Sequence, residues 1–310
     1  MTAQPATAAG EPGAGTAAPA VELIGVGRRF QRSRTSPFRP AGGVDALTDV
    51  SLTIPARSRF GVVGESGSGK TTLMRLIAAL DRPTAGRILV EGTDITGRSE
   101  KDLRFLRRSL QIVFQDPMAS LDPRMRVGSI VAEPLQVQGH RDVQGAVRRA
   151  LEQVGLDASA MRRFPHQFSG GQRQRISIAR AIAPEPRILI ADEAVSALDV
   201  TIRAQILQLI EDLAARQQLT LIFVSHDLSV IRRVCDRVAV LRGGRLVETG
   251  PTERVYADPQ DPYTRDLLAA VPTLERSLAA ARARAGEAGG SAGERVDGGP
   301  SSPAGEGAYR

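Results

Sequence analysis

The sequence has a single cysteine and no long apolar run, and both absences narrow the class of protein. Cys235 is the only cysteine among 310 residues, which excludes an internal disulfide and any zinc or iron–sulfur site built from several cysteines. No window approaches 18 consecutive apolar residues, and the N-terminus lacks a basic segment followed by an apolar one. We therefore expect neither a spanning helix nor a secretory signal, and we expect a cytoplasmic protein.

Lysine is scarce as well, although the chain is basic. Lys70 and Lys101 are the only lysines, yet Lys and Arg together number 41 against 34 Asp and Glu, a net charge of +7. A basic chain can indicate binding to nucleic acid. Here the arginines are scattered and lack interleaved aromatic residues, so we expect no specific nucleic-acid partner.

Composition predicts a folded region between two tails. Residues 1–20 are rich in Ala, Gly, Pro and Thr, and residues 276–310 are rich in Ala, Gly, Ser and Arg. Such segments bury too little apolar surface to order themselves, so we predict disorder in both. Between them, short apolar runs alternate with helical patterns. This alternation predicts an α/β fold with a largely parallel sheet flanked by helices.

Polar or glycine-rich segments follow each of the clearest predicted strands. Ligands of open α/β sheets bind beyond the carboxyl ends of the strands, so this placement points to a common site. A mostly helical block is predicted at 122–180, and a loop at 31–43. The four strands are Phe60–Val63, Gln111–Phe114, Ile188–Ala191 and Leu219–Ser225, with a later pair at Arg237–Leu241 and Arg245–Glu248 turned by Gly243 and Gly244.

A phosphate-binding loop is the most specific motif. Residues 64–71 match G-x4-G-K-[ST], follow an apolar strand and precede a helical pattern. Glycines let successive backbone N–H groups turn inward, and the helix N-terminus adds partial positive charge. Lys70 would reach the β- and γ-phosphates, and Thr71 offers a Mg²⁺ ligand. The alternative, a turn that only caps a helix, does not explain why one of two lysines lies here.

A second motif places two carboxylates at the end of an apolar strand. Asp192 and Glu193 follow Ile188–Ala191, an arrangement in which the Asp holds hydrated Mg²⁺ near the phosphates. Glu193 can then orient and deprotonate the attacking water. The alternative is a solvated helix start, since acidic residues favour the first helical turn.

A third motif combines a capping box with two glycines. Ser169 and Gln172 have the S-x-x-Q spacing that caps a helix. Capping does not explain the glycine pair between them. Each glycine lowers helix stability by roughly 1 kcal/mol relative to alanine. Close approach of the backbone to an anion would explain the pair.

Together with Gln115, residues 196–199 (Ser-Ala-Leu-Asp) and His226, these motifs resemble the phosphate loop, Q-loop, signature motif, Walker B, D-loop and H-loop of ABC ATPases. The resemblance covers about Val21 to Pro272. It implies a P-loop NTPase nucleotide-binding domain at 21–256, with a RecA-like core, a helical subdomain at about 116–180 and a small antiparallel β subdomain.

The resemblance also implies ATP and Mg²⁺ as cofactors and a head-to-tail dimer in which the signature motif contacts the ATP of the other subunit. Catalytic roles are implied for Glu193, His226, Lys70 and Gln115, and metal ligation for Thr71, Gln115 and Asp192. Phe30 has the place of an adenine-stacking aromatic, its alternative being a core phenylalanine. The implied nucleotide-binding residues are Phe30, Gly64, Glu65, Ser66, Gly67, Ser68, Gly69, Lys70, Thr71, Thr72, Ser169, Gly170, Gly171 and Gln172.

The segment Pro262-Tyr263-Thr264 and its flanks resemble the dipeptide/oligopeptide/nickel importer branch, and most closely its F-type ATPase, with a C-terminal extension at 257–275. This branch implies two transmembrane permease subunits, a solute-binding protein and a second, identical or different, ATPase subunit. The protein would then lie peripherally on the cytoplasmic face of the membrane, with residues 118–121 and 127–130 docking the permease. A nickel or other small-solute importer and a non-transport regulatory ATPase remain alternatives.

Overall fold

The computed structural model describes residues 18–31, 43–196 and 198–270. Ala197, the interior of the predicted loop at 31–43 and nearly all of both predicted tails lie outside these ranges. The chain divides into one compact unit that ends at Leu268 and a second unit, Ala269–Arg310, of which only the first two residues are described. No helix in the described ranges is long and apolar enough to cross a membrane.

The described part of the chain contains ten strands in two sheets. The smaller sheet is antiparallel with the order β2-β1-β4-β5, and the larger has the order β10-β9-β3-β8-β7-β6, parallel except for the terminal β9–β10 hairpin. The strands are β1 (Val21–Gln31), β2 (Gly43–Ile54), β3 (Arg59–Val63), β4 (Ala85–Val90), β5 (Thr93–Asp94), β6 (Leu110–Val113), β7 (Ile188–Asp192), β8 (Thr220–Ser225), β9 (Arg237–Arg242) and β10 (Arg245–Pro251).

The register of the larger sheet brings the functional segments together. Every residue of β7 and β8 is buried, as expected for parallel strands covered on both faces. Val63 pairs with Ser225, and Asp192 pairs with Val224. These strands therefore end almost level, so that the residues following them meet at one edge of the sheet.

The strands predicted in the larger sheet are confirmed within one residue at each end, except that β10 extends three residues beyond the predicted end at Glu248, and Gly243 and Gly244 turn the β9–β10 hairpin with φ values of 53° and 78°. The individual strands of the smaller sheet were not located from the sequence. Gln31 and Gly43, the ends of the predicted loop, are strand residues that pair with each other.

The helices cover the sheets and form a separate block. Only helices and short 3₁₀ turns lie between Pro117 and Ile182, which confirms that the predicted helical block has no strand. The helices are α1 (Lys70–Ile77), α2 (Arg104–Ser109), α3 (Pro117–Ser120), α4 (Val127–Val137), α5 (Val143–Gln153), α6 (Gly170–Ile182), α7 (Val200–Arg216), α8 (Leu228–Val234), α9 (Thr252–Ala257) and α10 (Pro262–Ala269).

Candidate active site

The loop between β3 and α1 has a backbone that requires glycine at two places. Gly64 has φ 152°, and a Cβ there would lie 2.2 Å from the carbonyl oxygen of Leu241. Gly69 has φ 104°, and its Cβ would lie 2.7 Å from the carbonyl oxygen of Ala46. The close approach of β9 and β2 to the loop thus excludes side chains at both positions. Gly69 also immediately precedes α1, whose free N–H groups suit an anion.

Lys70, the first residue of α1, is buried at the centre of the loop. Its Nζ donates to the carbonyl oxygens of Gly64 (2.7 Å) and Glu65 (2.8 Å). Burial lowers the pKa of Lys70, while the nearby carboxylates of Glu193 and Asp192 oppose that effect. A buried ammonium held largely by carbonyls is a favourable site for an anionic ligand.

The other predicted loop residues surround Lys70 with different exposure. Glu65, Ser66, Gly67 and Thr71 are exposed, and Thr72 is half-buried. Ser68 is buried, and its backbone carbonyl accepts a hydrogen bond from the N–H of Gly244 (3.0 Å). The β9–β10 turn thus supports the back of the loop and leaves its outer side open.

Asp192 is the last residue of β7 and Glu193 follows it, and the two carboxylates have different surroundings. Burial raises the pKa of Asp192 to about 6, with a further contribution from Glu193 that Lys70 opposes. Glu193 has φ 45°, an uncommon conformation for a non-glycine residue. Its N–H donates to the carbonyl of Val224 (2.9 Å), and the Ser196 hydroxyl donates to its carbonyl (3.0 Å). The turn after β7 is therefore held from both sides.

The side chain of Glu193 is fixed by residues that follow two other strands. Gln115, beyond β6, donates through Nε2 to Oε2 of Glu193 (2.9 Å). His226, directly after β8, lies with Nδ1 3.1 Å from Oε1 of the same carboxylate. The structure thus brings together Gln115, Glu193 and His226, and places them beside Lys70.

The oxygen donors at this edge fit a magnesium ion shared with a phosphate. Within the described ranges no group of three or more His, Cys, Asp or Glu side chains could hold a metal by itself. Mg²⁺ typically takes one or two carboxylates, several waters and substrate phosphate oxygens. Asp192 is a buried carboxylate, and the positive charge of Lys70 nearby is not enough to keep its pKa low. Thr71 presents an exposed hydroxyl at the start of α1.

The start of α6 has the predicted capping box. The Ser169 N–H donates to Oε1 of Gln172 (3.1 Å), and the Gln172 N–H donates to the Ser169 hydroxyl (3.4 Å). The glycine pair has two separate explanations. A Cβ on Gly171 would lie 2.6 Å from Cγ2 of Ile202 in α7, whereas a Cβ on Gly170 would meet nothing within 4 Å. Helix packing thus accounts for Gly171, and the anion explanation is needed only for Gly170.

Phe30 is a surface residue near the loop, so its interpretation as a core phenylalanine is wrong. Its side chain is 40% exposed, and the guanidinium of Arg28 lies 4.5 Å from the ring centroid. Phe30 pairs with Val44, two residues before the Ala46 carbonyl that closely approaches Gly69. The ring therefore reaches solvent, with the Arg28 guanidinium over one face.

The predicted permease-docking residues require a correction. Leu121, Val127 and Ile130 are no more than 2% exposed, so their side chains cannot contact a partner. Val127 and Ile130 lie three residues apart on the buried face of α4, and Leu121 is buried directly after α3. Met118, which is 49% exposed, is the large apolar member of the predicted surface that does reach solvent, and Ala119 and Ser129 are exposed as well.

One contact with the phosphate loop was missed by the sequence analysis. The hydroxyl of Tyr263 in α10 accepts a hydrogen bond from the Glu65 N–H (3.1 Å). The sequence marked Pro262-Tyr263-Thr264 as typical of a branch, but no pattern linked it to a loop almost 200 residues earlier.

Comparisons with known proteins agree with this geometry. A family profile described as ABC transporter matches residues 47–196. A Brucella ovis protein, provisionally described as a peptide import ATP-binding protein, is 47% identical over 262 residues, which are 83% of this chain and 80% of the relative. A Sinorhizobium fredii protein, described in similar terms as a peptide ABC transporter ATP-binding protein, is 48% identical over 239 residues, or 76% and 68% of the two chains.

Solved structures show the same fold. The ATP-binding cassette MJ0796, in a dimeric post-hydrolysis state bound to ADP and phosphate, has a TM-score of 0.66 and 28% identity over 75% of this chain and 98% of that one. CbiO1 from Clostridium perfringens, part of an ABC transporter complex, has a TM-score of 0.66 and 26% identity. The match covers 77% of this chain and 91% of CbiO1. The predicted fold class is confirmed. Because identity near one half extends over most of the relatives' length, the chain belongs to the ATP-binding proteins of the ABC transporter family.

Proposed function

We propose that this chain hydrolyses ATP to power the import of di- or oligopeptides through a membrane permease. The observation that carries hydrolysis is the Glu193 carboxylate, held on one oxygen by Gln115 and on the other by His226. A carboxylate fixed beside a phosphate loop can accept the proton of a water that attacks the γ-phosphoryl group in line. The descriptions of the relatives support peptide import.

Binding of ATP would use residues 64–72 together with Phe30. The backbone N–H groups of the loop and of the start of α1 would surround the phosphates, and Phe30 would stack on the adenine. Lys70 would exchange at least one of its two carbonyl partners for a phosphate oxygen. Mg²⁺, held by Thr71, Asp192 and the amide oxygen of Gln115, would supply neutralisation of phosphate charge.

A complete site would need a second ATPase subunit, identical or different. Ser169, Gly170, Gly171 and Gln172 would contact the γ-phosphate bound to the other subunit, through the hydroxyl of Ser169 and the N–H groups that begin α6. The exposure of Gly170 supports this arrangement, because among the described residues a Cβ there would meet no atom within 4 Å beyond its chain neighbours and its own helix backbone.

The permease would contact a groove between the helical block and the larger sheet. The groove has a volume of about 360 Å³, and its lining includes three exposed apolar side chains, Leu80 (43%), Phe114 (38%) and Val137 (83%). We infer that a short apolar segment of each of two permease subunits docks there, with a solute-binding protein delivering the solute. The ATPase would thus lie peripherally on the cytoplasmic face of the membrane.

The domain boundaries remain those inferred from the sequence: tails at 1–20 and 276–310, an ATPase domain at 21–256 with a helical subdomain at about 116–180, and an extension at 257–275. The location of α10 supports the extension as a separate functional element, because it contacts the loop through Tyr263.

ATPase measurements on the purified chain test hydrolysis. Glu193→Gln should lower kcat by at least about 100-fold, the size of a general-base contribution, and leave ATP binding intact. Glu253→Gln is the control, since its carboxylate pairs with Arg232 on the surface and is 74% exposed. Equal and negligible rates for wild type and Glu193→Gln would favour a regulator that does not hydrolyse ATP.

Uptake by the reconstituted complex tests transport and the permease surface. Labelled di- and oligopeptides should be taken up in an ATP-dependent manner, and uptake of nickel alone would overturn peptide import. Val137→Glu should weaken co-purification with the permease and leave the ATPase rate of the isolated chain unchanged. Unchanged co-purification would refute docking in the groove.

A further inference from the structure

Two side chains from distant parts of the chain hold one peptide unit of the phosphate loop. The unit that joins Gly64 to Glu65 presents its carbonyl oxygen to Nζ of Lys70 (2.7 Å) and its N–H to the hydroxyl of Tyr263 (3.1 Å). In a trans peptide these two groups point in opposite directions. Lys70 and Tyr263 therefore hold the same plane from opposite sides.

Tyr263 is itself held firmly. It is 5% exposed, and the guanidinium of Arg242 lies 4.8 Å from its ring centroid. Its N–H donates to Oδ1 of Asp261 (2.8 Å), and the N–H of Asp261 donates to Glu248 of β10 (3.2 Å). A hydroxyl carried by an anchored ring is a fixed acceptor, so the Glu65 N–H has a preset direction.

The two supports differ in what happens when a nucleotide binds. Lys70 has three N–H donors and uses two of them on the carbonyls of Gly64 and Glu65, so binding both a β- and a γ-phosphate oxygen would exchange at least one of these bonds. When the bond to the Gly64 carbonyl is exchanged, the peptide unit loses the partner on one side. The bond from Tyr263 is on the other side and can persist throughout. Without it, the freed unit could rotate, and a smaller fraction of molecules would have a loop that is ready to bind.

We propose that Tyr263 is a positioning residue of the phosphate loop, which keeps the Gly64–Glu65 peptide unit in its binding orientation while Lys70 transfers to the nucleotide. This inference rests on the proposed binding of ATP by residues 64–72. It gives the segment at 257–275 a role in nucleotide affinity, a role distinct from contacts with the permease.

The test removes the hydroxyl of Tyr263 and compares the effect on ATP binding with the effect of removing another tyrosine hydroxyl. Tyr263→Phe keeps the ring against Arg242 and deletes only the acceptor. The control is Tyr256→Phe, which deletes a hydroxyl that accepts no loop N–H and instead donates to the carbonyl of Leu228. The dissociation constant for ATP is measured on the full chain in EDTA, followed by kcat and KM with Mg²⁺ and by the melting temperature without nucleotide.

We expect Tyr263→Phe to raise the dissociation constant and KM for ATP by about three- to tenfold, the range of one neutral hydrogen bond. Its kcat should stay within about twofold of wild type, because the hydroxyl does not touch the reacting atoms. Tyr256→Phe should leave the ATP affinity unchanged. A lower melting temperature for Tyr263→Phe with unchanged affinity would overturn the inference and leave a purely structural role. A wild-type chain that binds no ATP would instead overturn the proposed function.

Discussion

The adjacent glycines at the start of α6 should respond in opposite ways to alanine. Gly170 has open space around its Cβ position, whereas a Cβ on Gly171 would lie 2.6 Å from Cγ2 of Ile202. Neither glycine has a positive φ. Alanine at Gly170 therefore gains helix propensity, by up to about 1 kcal/mol, and meets no obstacle.

Alanine at Gly171 meets a stiff, β-branched neighbour in α7. Because Ile202 has restricted rotamers, relief requires a shift of one helix against the other. Overpacking of this kind costs about 1–3 kcal/mol. For a domain of this size, 1 kcal/mol corresponds to about 2–4 °C in melting temperature. The Gly170 variant should melt up to about 4 °C above wild type, and the Gly171 variant about 2–12 °C below it.

The ATPase rate further distinguishes a contact between Gly170 and the nucleotide from the packing role of Gly171. If the backbone at Gly170 approaches the nucleotide of a second subunit, Gly170→Ala should reduce the ATPase rate by at least tenfold in spite of its higher melting temperature. Melting is measured by differential scanning fluorimetry and the rate by phosphate release at saturating ATP. A Gly170→Ala protein that is more stable and fully active would refute the contribution of this glycine in trans. A Gly171→Ala protein as stable as wild type would refute the packing explanation.

Three further variants test individual parts of the site. His226→Ala should lower kcat by about 100-fold or more with little change in ATP affinity, measured by single-turnover hydrolysis; an equal loss of affinity would contradict its role beside Glu193. Phe30→Ala should weaken ATP binding at least fivefold and leave binding of inorganic triphosphate unchanged, and equal losses for both ligands would rule out adenine stacking. The raised pKa of Asp192, about 6, means that its ionised form destabilises the metal-free fold above pH 6 and that this effect vanishes below about pH 4. Asp192→Asn should therefore raise the free energy of unfolding in EDTA by up to about 3 kcal/mol at pH 7.5 and by less at pH 5, as followed by urea denaturation; a gain that does not depend on pH would contradict this origin.

Features that depend on neighbours in the sequence were predictable. The strand, loop and helix around Lys70 and the capping box at Ser169 rest on residues within a few positions of one another. The same holds for β7, which ends in Asp192, and for Glu193 directly after it. In each case steric limits, capping bonds and apolar runs act over one or two turns of chain. The chemistry of these segments could therefore be predicted without knowledge of any tertiary contact.

Exposure could not be predicted in the same way. Val127 and Ile130 have the pattern of either a docking surface or a buried face, because a helix with one apolar stripe fits both. Only the packing of the helical block decides that they are buried. Gly171 similarly looks like Gly170 in the sequence, and its reason appears only when α7 is in place.

The sequence by itself determined that the chain has a phosphate loop, a strand ending in two carboxylates and a capped signature helix, because each is a local pattern. The tertiary structure alone decided what these segments contact. Glu193 is held by Gln115, 78 residues earlier, and by His226, 33 residues later. Tyr263 reaches the loop across 198 residues. Such contacts follow from strand register and helix packing, which align residues that no short pattern relates.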